Sequence, residues 1–299
     1  MVKNILFIIF PVLLIAQTEP IENLHENLPR VWTLTHAMIH TDPGNFIKDG
    51  SITIRNGKIE AVGRYIKTPK DAFEIDLKGA HVYAGFIESW LEKELLNEKS
   101  KSTRKHWDKK VRPEHRSVDN LSIKNKEIKE LRSLGFTTAH LAPKQGIFRG
   151  QTGIINLMDK PKPIKSSVAQ VIDFKYRAKG QRTYPRSLLG VIAHIRQTFF
   201  DSEWYIKAQE IFEAYPAENE PLASNIALES LGMSRAVNKP FVFVTTNETY
   251  SHRAMNIVNE FNLNPWILGS GYEYRRLDYF SNNKVFFILP IDFPSKTKT

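Results

Sequence analysis

The sequence predicts an α/β fold, with a small sheet module followed by a longer region in which strands and helices alternate. Three observations predict it. Asn56-Gly57 stands between two runs that alternate polar and apolar residues, the strongest short-range hairpin signal, because both turn positions need positive φ. Residues 81–87 form a mostly continuous apolar run, as a strand buried on both faces requires. From Phe241 onward, apolar strand segments begin at 241, 266 and 285, spaced 25 and 19 residues apart, the rhythm of βα units in a parallel sheet.

The elements follow in order. Residues 31–34 begin a strand, 51–55 and 58–63 make the two arms of the hairpin, and 73–77 alternate again. A helix is expected near 122–134, stopped by Gly135, and a strand at 136–141. Residues 153–157 and 168–172 read as strands around a Lys/Pro turn. Pro185 opens a long helix to about 215, and another covers about 222–237. The alternation then runs strand 241–244, helix 250–261, strand 266–268, short helix 272–280 and strand 285–289.

Composition narrows the class. The chain has 299 residues, 41% of them apolar, enough to bury a core. Residues 5–16 are an apolar run of 12 behind Lys3. That is short of the roughly 20 residues a membrane span needs, and it fits an export signal over residues 1–17. No transmembrane span is expected in the mature chain, which is placed in a periplasm or at a cell surface. Cysteine is absent, so disulfides and thiol catalysis are excluded. The net charge of +10 is concentrated: residues 99–116 hold eight Lys or Arg against Asp108 and Glu114. Trp107 is the only aromatic there, so the stacking platform of a single-strand binder is missing. The stretch reads as a solvated basic loop, and nucleic acid is not an expected partner.

Residues 49–63, then Ile75-Asp76-Leu77-Lys78-Gly79, then Val82-Tyr83-Ala84-Gly85-Phe86-Ile87-Glu88 resemble the entry of amidohydrolase-superfamily enzymes, and most closely their imidazolonepropionase-like members. The resemblance implies a small β-sandwich module over 28–81 leading into a partial (β/α)8 TIM-like barrel over 82–299. It implies hydrolysis of C–N bonds in cyclic amides or peptides, with a divalent metal, usually zinc, as cofactor. Two histidines two residues apart on the first barrel strand would hold that metal from one face and lower the pKa of its water to about 7.

This sequence departs from that pattern. Glu88 matches the acidic position, but Trp90 and Glu92 occupy the two histidine positions. Thr245 and Gly269 stand where two later strands would supply histidines, and the last strand's catalytic aspartate has no counterpart. No cofactor is therefore expected in this chain, which reads as inactive by itself. The reading kept beside it is a non-catalytic scaffold or regulatory half of a longer exported hydrolase, whose partner would be a C-terminal continuation or a separate hydrolase domain.

Cleft-lining candidates are Glu88, His140 and Arg149. His140 ends the 136–141 strand, either as a pocket residue or as a satisfied core histidine. Arg149 lies in the glycine-rich run 146–153, which lacks the Gly-Lys-Ser/Thr of a phosphate loop and reads as a turn in which Arg149 could hold an anion. Glu88 and Glu92 could do acid–base work or be remnants of the fold. His252 is a displaced ligand or an exposed helix-end histidine, and His36 and His40 are surface residues of the sheet module.

Overall fold

The computed structural model describes residues 30–93, 106–119, 123–175, 184–289 and 291. The expected export signal and residues 99–105 of the basic stretch lie outside them. The chain divides into two compact units, Met1–Ala84 and Gly85–Thr299. The fold is mixed α/β, with three sheets and five α-helices among the described residues. None of those helices is long and apolar enough to cross a membrane.

The first unit holds β1 (Val31–Asp42), β2 (Asn45–Arg55), β3 (Lys58–Gly63), β4 (Phe73–Asp76) and β5 (His81–Val82). They form one sheet in the order β3-β2-β1-β4, with β5 also on β1. The second layer of a sandwich is not among the described strands. β1 runs well past the expected end at Leu34, because a bulge hides its continuation. His36 takes φ 52° and the register shifts between Leu34 and Ala37, so Leu34, Ala37 and Ile39 face one core with Ile52. A bulge breaks the two-residue period that marks a strand in sequence.

At the hairpin, Arg55 pairs with Lys58, and Asn56 and Gly57 take φ 50° and 74°. This is the expected two-residue turn with both positions left-handed. Asn56→Ala should cost about 1 kcal/mol, since alanine resists positive φ, whereas Asn56→Gly should be nearly silent. Equilibrium urea unfolding of the two variants checks this, and equal midpoints for both would count against it.

The second unit contains β6 (Phe86–Lys93), α1 (Asn125–Ser133), β7 (Phe136–Pro143), β8 (Phe148–Gln151), β9 (Gly153–Asn156), β10 (Pro163–Lys165) and β11 (Gln170–Asp173). It continues with α2 (Leu188–Ala214), α3 (Ile226–Ala236), β12 (Pro240–Val244), α4 (Glu248–Phe261), β13 (Asn264–Leu268), a 3-10 turn (Glu273–Arg276), α5 (Leu277–Ser281) and β14 (Phe286–Ile288). One sheet has the order β10-β9-β7-β6 and the other β14-β13-β12-β11-β8. β6 and β7 are parallel, as are β11 through β14, which matches the alternation read from Phe241 onward.

Side-chain caps set the helix starts. Ser187 accepts from Gly190 N–H, Asn225 from Leu228 N–H, and Asn247 from Thr249 and Tyr250 N–H, satisfying amides that have no intrahelical partner. The long helix therefore begins after Ser187 rather than at Pro185, and the next after Asn225 rather than at 222. The helices cover one face of the five-stranded sheet through Phe199, Phe241, Phe243 and Phe261. Val171 and Val242 lie in a separate cluster with Trp90 and Trp266.

Three expectations change here. Residues 81–87 are not one strand buried on both faces: 81–82 are β5, β6 begins at Phe86, and Tyr83, Phe86 and Ile87 are exposed. The glycine-rich run is not a turn: residues 148–151 are β8, antiparallel to β11. The described part of the basic stretch, 106–116, continues into 117–119 and is not a solvated loop. Its backbone bonds β8 through Lys110 O, Arg112 N, His115 O and Ser117 N, satisfying an edge whose amides would otherwise be bare. Val111 and Val118 are buried in the process.

Candidate functional site

In open α/β sheets, ligands bind at the carboxyl ends of parallel strands. Here those ends bring Glu92 (β6), Pro143 (β7), Asp173 (β11), Thr245 (after β12) and Gly269 (after β13) into play. Arg149 joins them from β8. Phe148 pairs with Ile172 and Gly150 with Val171, which leaves Arg149 as the extra residue of a bulge. Bulges re-aim side chains in this way. Gly150 makes the bulge feasible: it takes φ 116°, and a Cβ there would stand 2.5 Å from His115 O.

The Arg149 guanidinium is buried and fully directed. Its Nη1 donates to Glu92 Oε1 at 2.6 Å and to Pro143 O at 3.3 Å. Its Nη2 and Nε donate to Asp173 Oδ2 at 2.6 and 3.2 Å. Side-chain exposure is 6% for Arg149, 8% for Asp173 and 30% for Glu92. Burial works to lower the Arg149 pKa, but the two carboxylates outweigh it and raise the value. Asp173 Oδ1 accepts from Lys175 N–H, and Glu92 Oε1 also accepts from Trp90 Nε1 at 3.2 Å. Arg149, which could have held an external anion, thus meets two carboxylates of the chain itself.

Glu88 and His140 serve the strand that carries Trp90. The β6–β7 register slips between Glu88 and Leu91. Glu88 Oε1 accepts from Trp90 N–H at 3.1 Å, and His140 Nδ1 lies 3.1 Å from Ser89 O. A carbonyl can only accept, so Nδ1 carries the proton and Nε2 is left as a lone pair. That Nε2 is buried without a hydrogen-bond partner. The ring sits edge-on to Trp90 and Trp266, at 5.7 and 6.3 Å between centroids. Burial lowers the His140 pKa against the opposing bond to Ser89 O, so the imidazole is neutral at pH 7.

A second network closes the ends of β12 and β13. Thr245 Oγ1 donates to Leu268 O at 3.0 Å and lies 2.9 Å from Ser251 Oγ. Ser251 Oγ, Ser270 N and Ser270 Oγ donate to Glu273 Oε1 at 2.9–3.0 Å, and Gly271 N donates to Glu273 Oε2 at 2.9 Å. Burial alone would raise the Glu273 pKa, but bonds from Ser270 and Ser251 outweigh it and hold the carboxyl below its ordinary value. A Cβ on Gly269 would stand 3.1 Å from Glu273 Oε2, so Glu273 fills the space a side chain at 269 would need.

The sequence reading brought forward Glu92, Arg149, His140 and Thr245 but missed Asp173 and Glu273. Asp173 could have been found, since it ends the strand whose 168–172 core was recognised. Glu273 sits in the turn after Ser270-Gly271, where nothing in the pattern marks burial. His252 lies in α4 with its ring 4.4 Å from that of Tyr279 and takes no part in either network. Away from both, His194 Nε2 and Asp108 Oδ2 lie 2.9 Å apart, with side chains 2% and 10% exposed, tying the 106–119 segment to α2. Among the described residues, no three His, Asp or Glu side chains stand together as a metal-holding group.

Neither a scan of protein-family models nor a search of curated proteins finds a match for this chain. Among solved structures it is similar to an amidohydrolase from Thermotoga maritima, with a TM-score of 0.70 and 20% identity over 88% of this chain and 71% of that one. A prolidase complexed with N-methylphosphonate-L-proline gives 0.38 at 11% identity, covering 88% and 78% of the two chains. Another amidohydrolase gives 0.34 at 11%, covering 84% and 69%. The last two are too distant to bear on the fold. The first shows the fold alone: this chain shares its α/β architecture with an amidohydrolase.

Proposed function

We propose that this chain is a non-catalytic protein of amidohydrolase fold, a scaffold or regulatory half of a longer exported hydrolase. Its sheets correspond in this reading to one layer of a β-sandwich module and part of a (β/α) barrel. The observation that carries it is the Arg149 guanidinium on Glu92 and Asp173.

A divalent metal does not suit these residues. Trp90 offers an N–H and no lone pair. Glu92 and Asp173 already share a cation, and a metal would have to displace it. The Thr245 hydroxyl is bonded to Leu268 O and lies beside Ser251 Oγ, and Gly269 has no side chain to offer, a Cβ there meeting Glu273 Oε2 at 3.1 Å. A zinc site needs about three or four converging ligands. With these groups engaged among themselves, no step of amide hydrolysis can be assigned to them.

A second reading is favoured by the likeness to the Thermotoga maritima amidohydrolase. It is a hydrolase acting on C–N bonds of cyclic amides or peptides, whose chemistry is completed by sequence outside this chain. One experiment tests the non-catalytic reading against an active site within this chain. The purified chain is assayed on cyclic amides and dipeptides with zinc, manganese or cobalt added, beside Glu92→Gln. No turnover above background is expected from either protein. Turnover in the wild type that Glu92→Gln abolishes would overturn the non-catalytic reading.

A further inference from the structure

We propose that His40, His81 and Tyr83 in the first unit form a binding site for a borderline divalent transition ion, copper(II) ahead of nickel(II) and zinc(II). The sheet register assembles them. Met38 pairs with His81 and His40 with Phe46, while Ala37 and Ile39 face the core. Strand alternation therefore puts Met38 and His40 on the opposite face, beside His81 and, two residues on, Tyr83.

Two donor–donor separations are short there. His40 Nε2 lies 3.0 Å from His81 Nδ1, and Tyr83 Oη lies 3.3 Å from the same nitrogen. Ligand atoms bound to one ion at about 2.0–2.1 Å stand roughly 2.9–3.4 Å apart when their angle at the metal is 90–109°. Both separations fall in that window. Among the described residues these three groups hydrogen-bond only to one another, so an ion displaces nothing the sheet depends on. The rings already share one stack, with His40 4.2 Å from Tyr83 and 5.1 Å from His81 between centroids. His81 and Tyr83 are exposed, Tyr83 at 64%, so the ion keeps water on its remaining positions.

Two imidazoles and a phenol are nitrogen and oxygen donors of intermediate softness, which select copper(II) among first-row divalent ions. Binding leaves both imidazoles neutral. The one that donates the present N–H···N bond moves its proton to its other ring nitrogen, and the phenol releases its proton to solvent as the oxygen–metal bond forms.

The test is a copper(II) titration of the full chain, followed by electron paramagnetic resonance and visible absorption. Wild type should take up one tight equivalent, with nitrogen hyperfine structure and a phenolate-to-copper band. His40→Gln and His81→Gln, chosen to keep a polar side chain and monitored by circular dichroism, should each weaken binding about tenfold or more. Tyr83→Phe should keep the ion and lose the band. Undiminished copper in the doubly substituted chain, or no tight equivalent in wild type, overturns the proposal. Copper lost instead in Glu92→Gln would place the ion in the second unit. That result would overturn this site and count against the non-catalytic reading, whereas loss confined to the histidine variants leaves that reading untouched.

Discussion

Replacing Arg149 with methionine is expected to destabilise the protein by roughly 3–5 kcal/mol, the usual cost of removing one partner from a buried ion pair. The variant leaves Asp173, whose side chain is 8% exposed, and Glu92, at 30%, without their cation. Most of the penalty should fall on Asp173, because water can still reach Glu92. Arg149→Lys keeps the charge but cannot span Glu92, Pro143 O and Asp173 with one fork, so an intermediate loss is expected. Making Asp173→Asn and Glu92→Gln in the Arg149→Met background removes the stranded charges and should recover much of the loss, since an apolar or neutral set is often no worse than the pair it replaces. Urea midpoints for the four proteins decide it. An Arg149→Met variant within 1 kcal/mol of wild type, a loss on the scale of an exposed pair, would mean that the triad does not hold β6, β7, β8 and β11 together.

The same triad shows where sequence reading stops. The hairpin at Asn56-Gly57 was legible because its signal is two adjacent residues, and β12–β14 were legible because alternation persists over three units. β1 was cut short at Leu34 because His36 breaks the period while the strand goes on. β8 was missed because four residues, 148–151, carry too little pattern, and their pairing with β11 lies about twenty residues away. Trp90 and Glu92 could be read as departures from a family pattern. That Arg149 answers Glu92 across 57 residues of chain is a property of the bulge at Gly150, which no local pattern announces. His140 was left between pocket and core. The structure buries it, with Nδ1 bonded to Ser89 O and Nε2 without a hydrogen-bond partner.

Glu273→Gln is the second large effect expected, about 2–4 kcal/mol. The side chain keeps its size, but one oxygen becomes an NH₂ facing Ser251, Ser270 or Gly271, all of which donate to the carboxylate. A charge-assisted bond worth about 1.5–3 kcal/mol is lost, and a buried donor is left unsatisfied at a comparable cost. The variant should also change the pH dependence. Burial pushes the Glu273 carboxyl up, but its donors outweigh that and hold it below the ordinary glutamate value of 4.5. In the folded state the proton is therefore bound more weakly than in the unfolded chain. The stabilisation is complete above about pH 4.5 and is lost as pH falls through the lower, folded-state pKa. Asp108 acts in the same sense from its own ordinary value of 3.8, where burial is outweighed by bonds from His194 and Lys110, and it titrates in both proteins. The informative quantity is thus the difference between the melting curves of wild type and Glu273→Gln across pH 3–7. That difference should be constant near neutrality and narrow below pH 4.5, as the wild type loses what the variant never had. A gap that stays constant into the acid range would mean that Glu273 binds its proton equally well folded and unfolded, and that its hydrogen bonds to Ser270 and Gly271 do not favour the charge.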